Sequence, residues 1–258
     1  MIMVIDEKIE GSSSNAVCPY PPTPQHCLFF YISDPIRMQK EGNTDFLTQP
    51  SSVIVGPQVT RVNLDIGRHH RAVCVGFHPG GLYRLIGIPM LQIFDDGFDA
   101  SDIIGNEMNT VNLLLKEAVT LEEVKNVIEK FLLSKVQKLK AILPFDMAMK
   151  ELVKYDGNIA IEKIASLSCL GLRQFERKCK ERIGMPPKLF ARLARFSKAH
   201  RLKGQQSRLS WTSIAYECGY FDQMHLIRDF KEFAGVTPTI MEEELHTAPL
   251  LLQAGFKI

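Results

Sequence analysis

Gly219-Tyr220-Phe221-Asp222-Gln223-Met224-His225-Leu226-Ile227-Arg228-Asp229-Phe230-Lys231, closed by Gly235-Val236-Thr237-Pro238, is the stretch that decides how the C-terminal half folds. Gly219 supplies a turn, residues 222–233 read as a helix, and Gly235 and Pro238 stop it. Leu226, Ile227, Phe230, Phe233 and Ala234 recur at helical spacing and predict the buried stripe. Just upstream, Trp211, Ile214 and Ala215 give a short apolar helix. A helix, a tight Gly-containing turn and a second helix make up the helix-turn-helix unit.

The same pattern stands once before, within residues 158–187. Ile159, Ile161, Ile164 and Ala165 supply an apolar face, Cys169 falls at the turn, and residues 170–182 read as the next helix before Gly184, Pro186 and Pro187. Leu172, Phe175, Cys179 and Ile183 are expected to face the core, leaving Arg173, Gln174, Arg177, Lys178 and Lys180 outward. In the second copy Gln223, His225, Arg228 and Lys231 point away. Both outward faces suit double-stranded DNA. Arg pairs bidentately with guanine and Gln with adenine, while Lys suits phosphate. Arg173, Gln174, Arg177, Gln223, His225 and Arg228 are therefore the candidates for groove contacts, and Lys178, Lys180 and Lys231 for the phosphate backbone. Trp211, Phe175 and Phe230 are expected to be buried and structural. Residues 187–202 read as one connecting helix with Pro at its start, apolar through Leu189, Phe190, Leu193, Phe196 and Leu202 and basic at Arg192, Arg195, Lys198 and Arg201.

Charge points the same way. The 258 residues carry a formal net charge of +2, but residues 148–241 hold 17 Lys and Arg against 9 Asp and Glu, while residues 1–147 hold 13 against 17. A basic module joined to a mildly acidic one presents a single face to a polyanion. With about 6 to 10 phosphate contacts, affinity is expected to fall roughly 10³- to 10⁵-fold between about 50 and 200 mM salt.

The two copies resemble the AraC/XylS family of bacterial transcription regulators. The carrying residues are the 219–238 run quoted above and, in the first copy, Arg173-Gln174-Phe175-Glu176-Arg177 and Gly184-Met185-Pro186-Pro187, within a region of about 147–244. Two positions depart from the family pattern: Cys169 stands where Gly is frequent, and Gly171 where a capping Ser is. The resemblance implies a connector that turns two reading helices toward successive major grooves, and RNA polymerase as a partner.

The N-terminal half has a different texture. Residues 18–24 read as irregular; 53–55, 61–66 and 71–77 as strands, with a hairpin connection at 67–70; 82–86 as a short helix. A long helix over 120–136 opens with Thr120 and Glu123 in capping-box spacing and carries Leu121, Val124, Val127, Ile128, Phe131 and Leu132 on one side. The expected class is an α+β, β-rich N-terminal domain (1–140), a linker (141–146), an all-α domain with two helix-turn-helix units bridged by a helix (147–245), and a C-terminal tail (246–258). Val55-Gly56-Pro57-Gln58, Gly76-Phe77-His78-Pro79-Gly80-Gly81 and Leu85-Ile86-Gly87-Ile88-Pro89 look like the degenerate, cupin-related sensor domains that precede some regulators of this family. That resemblance implies a small-molecule effector or self-association as a homodimer.

Other readings are weighed on the same residues. His69 and His70 suggest metal ligands, but the His-x-His with a later Glu that such sites need is absent, and a solvated turn is the simpler reading. His78 suits a pocket or a turn entry equally. The six cysteines contain no Cys-x-x-Cys pair and read as buried thiols in a reducing cytoplasm. Acidic residues in 1–10, and prolines interrupting the uncharged run 11–33, argue against a signal peptide or a membrane anchor. No nucleophile elbow, phosphate loop, dinucleotide fingerprint or His-Glu-x-x-His occurs, so no enzyme activity, metal or cofactor is expected. The alternatives are a catalytic or metal-binding N-terminal domain fused to the reader, and a protein-interaction adaptor.

Overall fold

The computed structural model describes residues 1–9, 16–250 and 252; the remainder of the expected tail lies outside them. Among these residues nine strands form: β1 (Ile2–Lys8), β2 (Val17–Tyr20), β3 (His26–Tyr31), β4 (Arg37–Lys40), β5 (Leu47–Thr48), β6 (Ser52–Val55), β7 (Val62–Asp65), β8 (His69–Phe77) and β9 (Gly97–Asp99). They build two antiparallel sheets, β1-β8-β3-β6-β9 and β2-β7-β4-β5. Alternation along the strands gives the larger sheet two buried faces. Cys27 of β3 and Cys74 of β8 meet Cys18, Tyr20 and Val62 of the other sheet. Leu28 and Phe30, with Val73 and Val75, face instead a layer of four helices. These are α1 (Gly81–Ile86), α2 (Ala100–Ile104), α3 (Glu107–Glu117) and α4 (Leu121–Lys135).

The α+β class holds, with corrections to its parts. The hairpin expected at 67–70 does not form. His69 and His70 belong to β8, paired with Lys8 and Glu7 of β1, while β7 lies in the other sheet, so residues 66–68 carry the chain between sheets. Nor is this pair a solvated turn: His69 bonds Asp6 at 2.8 Å and His70 is buried. The Pro-rich segment read as irregular contains β2, whose Pro19 sits opposite Asn63. Pro is tolerated there because β2 is an edge strand. The long helix forms as read, with both arms of its capping box made: the Glu123 N–H donates to Thr120 Oγ1 and the Thr120 N–H to Glu123 Oε2. Leu121, however, is exposed.

The C-terminal half is all helical: α5 (Pro144–Lys154), α6 (Ile161–Leu167), α7 (Leu172–Arg182), α8 (Pro187–Gln205), α9 (Trp211–Glu217), α10 (Gln223–Ala234) and α11 (Pro238–Thr247). One core runs through all of them, centred on Phe145, Phe175, Phe190, Phe196, Phe230 and Phe233. Among the described residues no helix is long and apolar enough to cross a membrane.

The two halves meet at the C-terminal ends of α7 and α10. Arg182, the last residue of α7, forks onto the Asp146 carboxylate of α5 at 2.9 and 2.7 Å, both groups almost fully buried, and its guanidinium lies over the Tyr83 ring of α1. The Tyr83 hydroxyl donates to Glu181 at 2.7 Å, and His26 Nε2 donates to the Ile183 carbonyl at 3.1 Å. Packing is close enough that a Cβ on Gly80 would lie 2.3 Å from Asp146 Oδ1. At the other unit, Arg61 pairs with Glu244 at 2.7 Å and donates to the Ala234 carbonyl.

Burial, foremost, pushes the His26 and His70 imidazoles down to about 4. Because this lies below the unfolded value, the unfolded chain binds more protons under about pH 6.5. Stability is therefore expected to be fully present above that pH and to fall as pH drops from about 6.5 toward 4, read as a falling urea midpoint.

Candidate nucleic-acid interface

Both helix-turn-helix units are built by the same backbone device. At the end of α6 the Ser168 N–H donates to the Ile164 carbonyl and the Leu170 N–H reaches back to Ala165; at the end of α9 Cys218 donates to Ile214 and Tyr220 to Ala215. The residue between, Cys169 in one copy and Gly219 in the other, is left-handed, with φ of 57° and 75°. This turn explains why Gly is favoured there, since a β-carbon destabilises that conformation by about 1 to 2 kcal/mol. Cys169 is exposed rather than buried, so its side chain gains little in return. Cys169→Gly is expected to stabilise the fold by about 0.5 to 1 kcal/mol, the relief of strain being partly offset by a freer unfolded chain. Gly219→Ala should do the reverse, because its Cβ would also meet Asn158 Oδ1 at 2.5 Å. Denaturant midpoints of the two variants check both signs.

The second turn is one residue longer. Past it, α7 and α10 superpose in sequence with a constant offset, from Leu172 and Gln223 at their starts to the left-handed Gly184 and Gly235 at their ends. Arg177 and Arg228 therefore hold equivalent places, as do Lys180 and Lys231. Helix α7 starts at Leu172 rather than 170 because Gly171, extended at φ −66° and ψ 153°, is its N-cap. Asp222 caps α10 by accepting the His225 N–H at 2.8 Å, a bond that holds its carboxyl below the usual range.

Phe175, Cys179 and Ile183 are fully buried as the periodicity predicts, and so are Leu226, Phe230, Phe233 and Ala234. Three residues differ. Leu172 is 42% exposed, since the first turn of α7 projects past the core, while Ile227 and Trp211 are half-buried. The Trp211 ring packs edge-on against Phe230 and turns its Nε1 outward to Glu242 at 3.0 Å.

Of the candidate contact residues, Arg173, Gln174, Arg177, Lys180, Gln223, His225, Arg228 and Lys231 are all exposed. Gln223 is steadied by the Thr212 hydroxyl at 2.7 Å and His225 by Asp222 at 3.0 Å. Lys178 is different: it is half-buried and paired with Glu181 at 2.9 Å. The sequence reading missed Tyr216, Phe221 and Met224, which leave a largely exposed apolar surface around the second turn. Their signal was available, since Tyr216 and Met224 fall off the apolar stripes of their helices and Phe221 stands in the turn between them.

The connector α8 has 19 residues, longer than expected, and spans about 28 Å. Its basic face is tied to the second unit and to the loop that leads into the first. Arg192 bonds Asp229 at 2.6 Å and Glu232 at 2.5 Å, while Lys198 and Arg201 reach Asp156. The two readers are thus fastened to one rod.

A helix-turn-helix domain family matches residues 164–243, from α6 into α11. Residues 164–243 are a helix-turn-helix domain of the AraC type. The AraC-type domain is the DNA-binding module of a transcription regulator. Over the whole chain the fold is similar to that of ToxT from Vibrio cholerae O395, 15% identical with a TM-score of 0.51, covering 95% of this chain and 98% of that one. It is equally similar to unsaturated fatty acid bound wild-type ToxT from Vibrio cholerae strain SCE256, 14% identical with a TM-score of 0.51, covering 93% and 94%. At these identities the likeness is one of fold, and it extends through the N-terminal half that the AraC-type domain does not include. A comparison with curated protein sequences gave no match. Among the described residues no group of three or more His, Cys, Asp or Glu is placed to hold a metal ion.

Proposed function

We propose that the protein is a cytoplasmic, sequence-specific regulator that reads a bipartite site on double-stranded DNA, with α7 and α10 each entering a major groove. The observation that carries this reading is the duplicated geometry. Two equivalent helices, each with an unengaged Arg at the same place (Arg177 and Arg228), are held by a single connector. Arg173, Gln174, Gln223 and His225 complete the base-reading set, and Lys180 and Lys231 approach phosphate. Lys178, engaged with Glu181, contributes less to the phosphate contacts than its neighbours. In this reading residues 1–140 form a module that takes an effector or pairs with a second copy, 141–146 the link to it, its last three residues already the first turn of α5, 147–245 the reader and 246–258 the tail. The unsaturated fatty acid bound to ToxT supports an effector role for such an N-terminal half. RNA polymerase is the partner that regulation would require.

Selection from a random duplex library at about 150 mM salt tests the reading. Two short motifs centred about 10 bp apart are expected. Arg177→Ala should relax one motif and Arg228→Ala the other, each losing about 1 to 3 kcal/mol of discrimination at its contacted base pair. Enrichment of a single motif, or retention of both by the variants, would exclude the two-groove arrangement. A folded protein that selects no duplex would favour the protein-interaction adaptor.

A further inference from the structure

A cavity of about 740 Å³ opens between the end of β8, α1, the last turns of α4 and the start of α5. This volume is within the range of small-molecule pockets, roughly 300 to 1,000 Å³. By contrast, the hollow between the two sheets, beside Tyr31 and His70, offers about 20 Å³, room for little more than a water. Phe77, Leu85, Leu132 and Ile142 give the cavity apolar walls, and its charged residues are unequally compensated. Of the two carboxylates on the lining, Asp146 is bound by Arg182 and Glu129 by Lys125. Lys150 has no ion pair or hydrogen bond among the described residues, and Arg84 uses only its Nε, on the Lys140 carbonyl at 2.6 Å. Among the lining side chains two cations, Lys150 and Arg84, therefore lack counter-charges, and the Met1 ammonium, on the Gly76 carbonyl at 2.9 Å, adds a third positive group. Burial, and then the positive charges of Lys150 and the Met1 ammonium, hold the His78 imidazole below its ordinary range.

We propose that this cavity binds a free amphipathic anion, its apolar body against Leu85 and Leu132 and its single carboxylate-like head on Lys150 and Arg84. The assignment rests on the reading above that the N-terminal half takes an effector. It also gives that effector a route to the DNA reader. Lys150 lies one helical turn from Asp146 on α5, and Asp146 holds the last residue of α7; Arg84 is next to Tyr83, which holds Glu181. A ligand bridging α5 and α1 touches both elements that grip the first reading helix. His78, Pro79 and Gly81 line the cavity, and the intervening Gly80 is small enough for Asp146 to close in.

Calorimetric titration of the full-length protein with dodecanoate below its micellar concentration, against dodecanol, tests the site. One dodecanoate per chain is expected, with dodecanol and Lys150→Gln each weakening binding about tenfold, the loss of a charge-assisted contact. Leu133→Glu, at a largely exposed position on the lining and so harmless to folding, should abolish it. Absence of binding, equal binding of the alcohol, or binding indifferent to both variants would overturn the assignment. DNA affinity measured with and without dodecanoate reports separately on the effector reading. A bound ligand that leaves it unchanged keeps the site and removes only the regulatory role.

Discussion

Asp146→Ala is expected to lower the unfolding free energy by about 3 to 5 kcal/mol, because it strands the buried Arg182 guanidinium without its counter-charge. Asp146 is the hub of three elements. It accepts both arms of Arg182, takes the Leu143 N–H at the start of α5, and lies against Gly80. Little of the measured loss would be the pair's own net attraction; most is the desolvated charge left behind. The control follows from that distinction. A double variant, Asp146→Leu with Arg182→Met, replaces the pair by apolar groups and should recover most of the stability. A double variant as unstable as Asp146→Ala would show that the loss comes from packing. Because the pair fastens the end of α7, the single variant should also weaken selection of the motif that Arg177 reads while sparing the other.

Phe230→Ala should cost about 3 to 5 kcal/mol, at the upper end because its ring is fully buried and meets two others edge-on, Phe196 at 4.8 Å and Trp211 at 5.1 Å. At roughly 2 to 4 °C per kcal/mol for a chain of this size, the melting temperature should fall by about 10 to 20 °C. The ring joins α10 to α8 and α9, so the second reader loosens first. A change of less than about 2 kcal/mol would mean that the second unit closes over the lost volume.

The helical half was legible because its signals are local. Gly219 and Gly235 mark left-handed positions, Pro187 and Pro238 open helices, and the stripe through Phe175 and Cys179 repeats at helical spacing. The N-terminal half was legible only where alternation is clean. Strand β3, His-Cys-Leu-Phe-Phe-Tyr, lies in a sheet covered on both faces, so it shows no alternation to read. The turn at 67–70 was misread because two adjacent strands with alternating patterns look alike whether they share a sheet or change sheets. The grip on α7 was invisible for a different reason. Tyr83 and Glu181 are 98 residues apart and Asp146 and Arg182 are 36 apart, and no short-range pattern announces such a meeting.

The ion pairs of the connector helix and of the end of α7 bear on how the domain responds to its solvent. Arg182, Arg192, Lys198, Arg201 and Lys203 each face a carboxylate of the same chain. The cations of the C-terminal half are thus more numerous than those free to meet a duplex. Counterion release depends on the phosphates actually neutralised; of the exposed cations without a carboxylate partner among the described residues, Arg173, Arg177, Lys180, Arg228 and Lys231 stand on the two reading helices, and Lys163, Lys188 and Arg208 lie outside them. Ionic strength would then act in large part on the same side chains that choose the sequence, so that raising salt loosens the hold on correct and incorrect sites together.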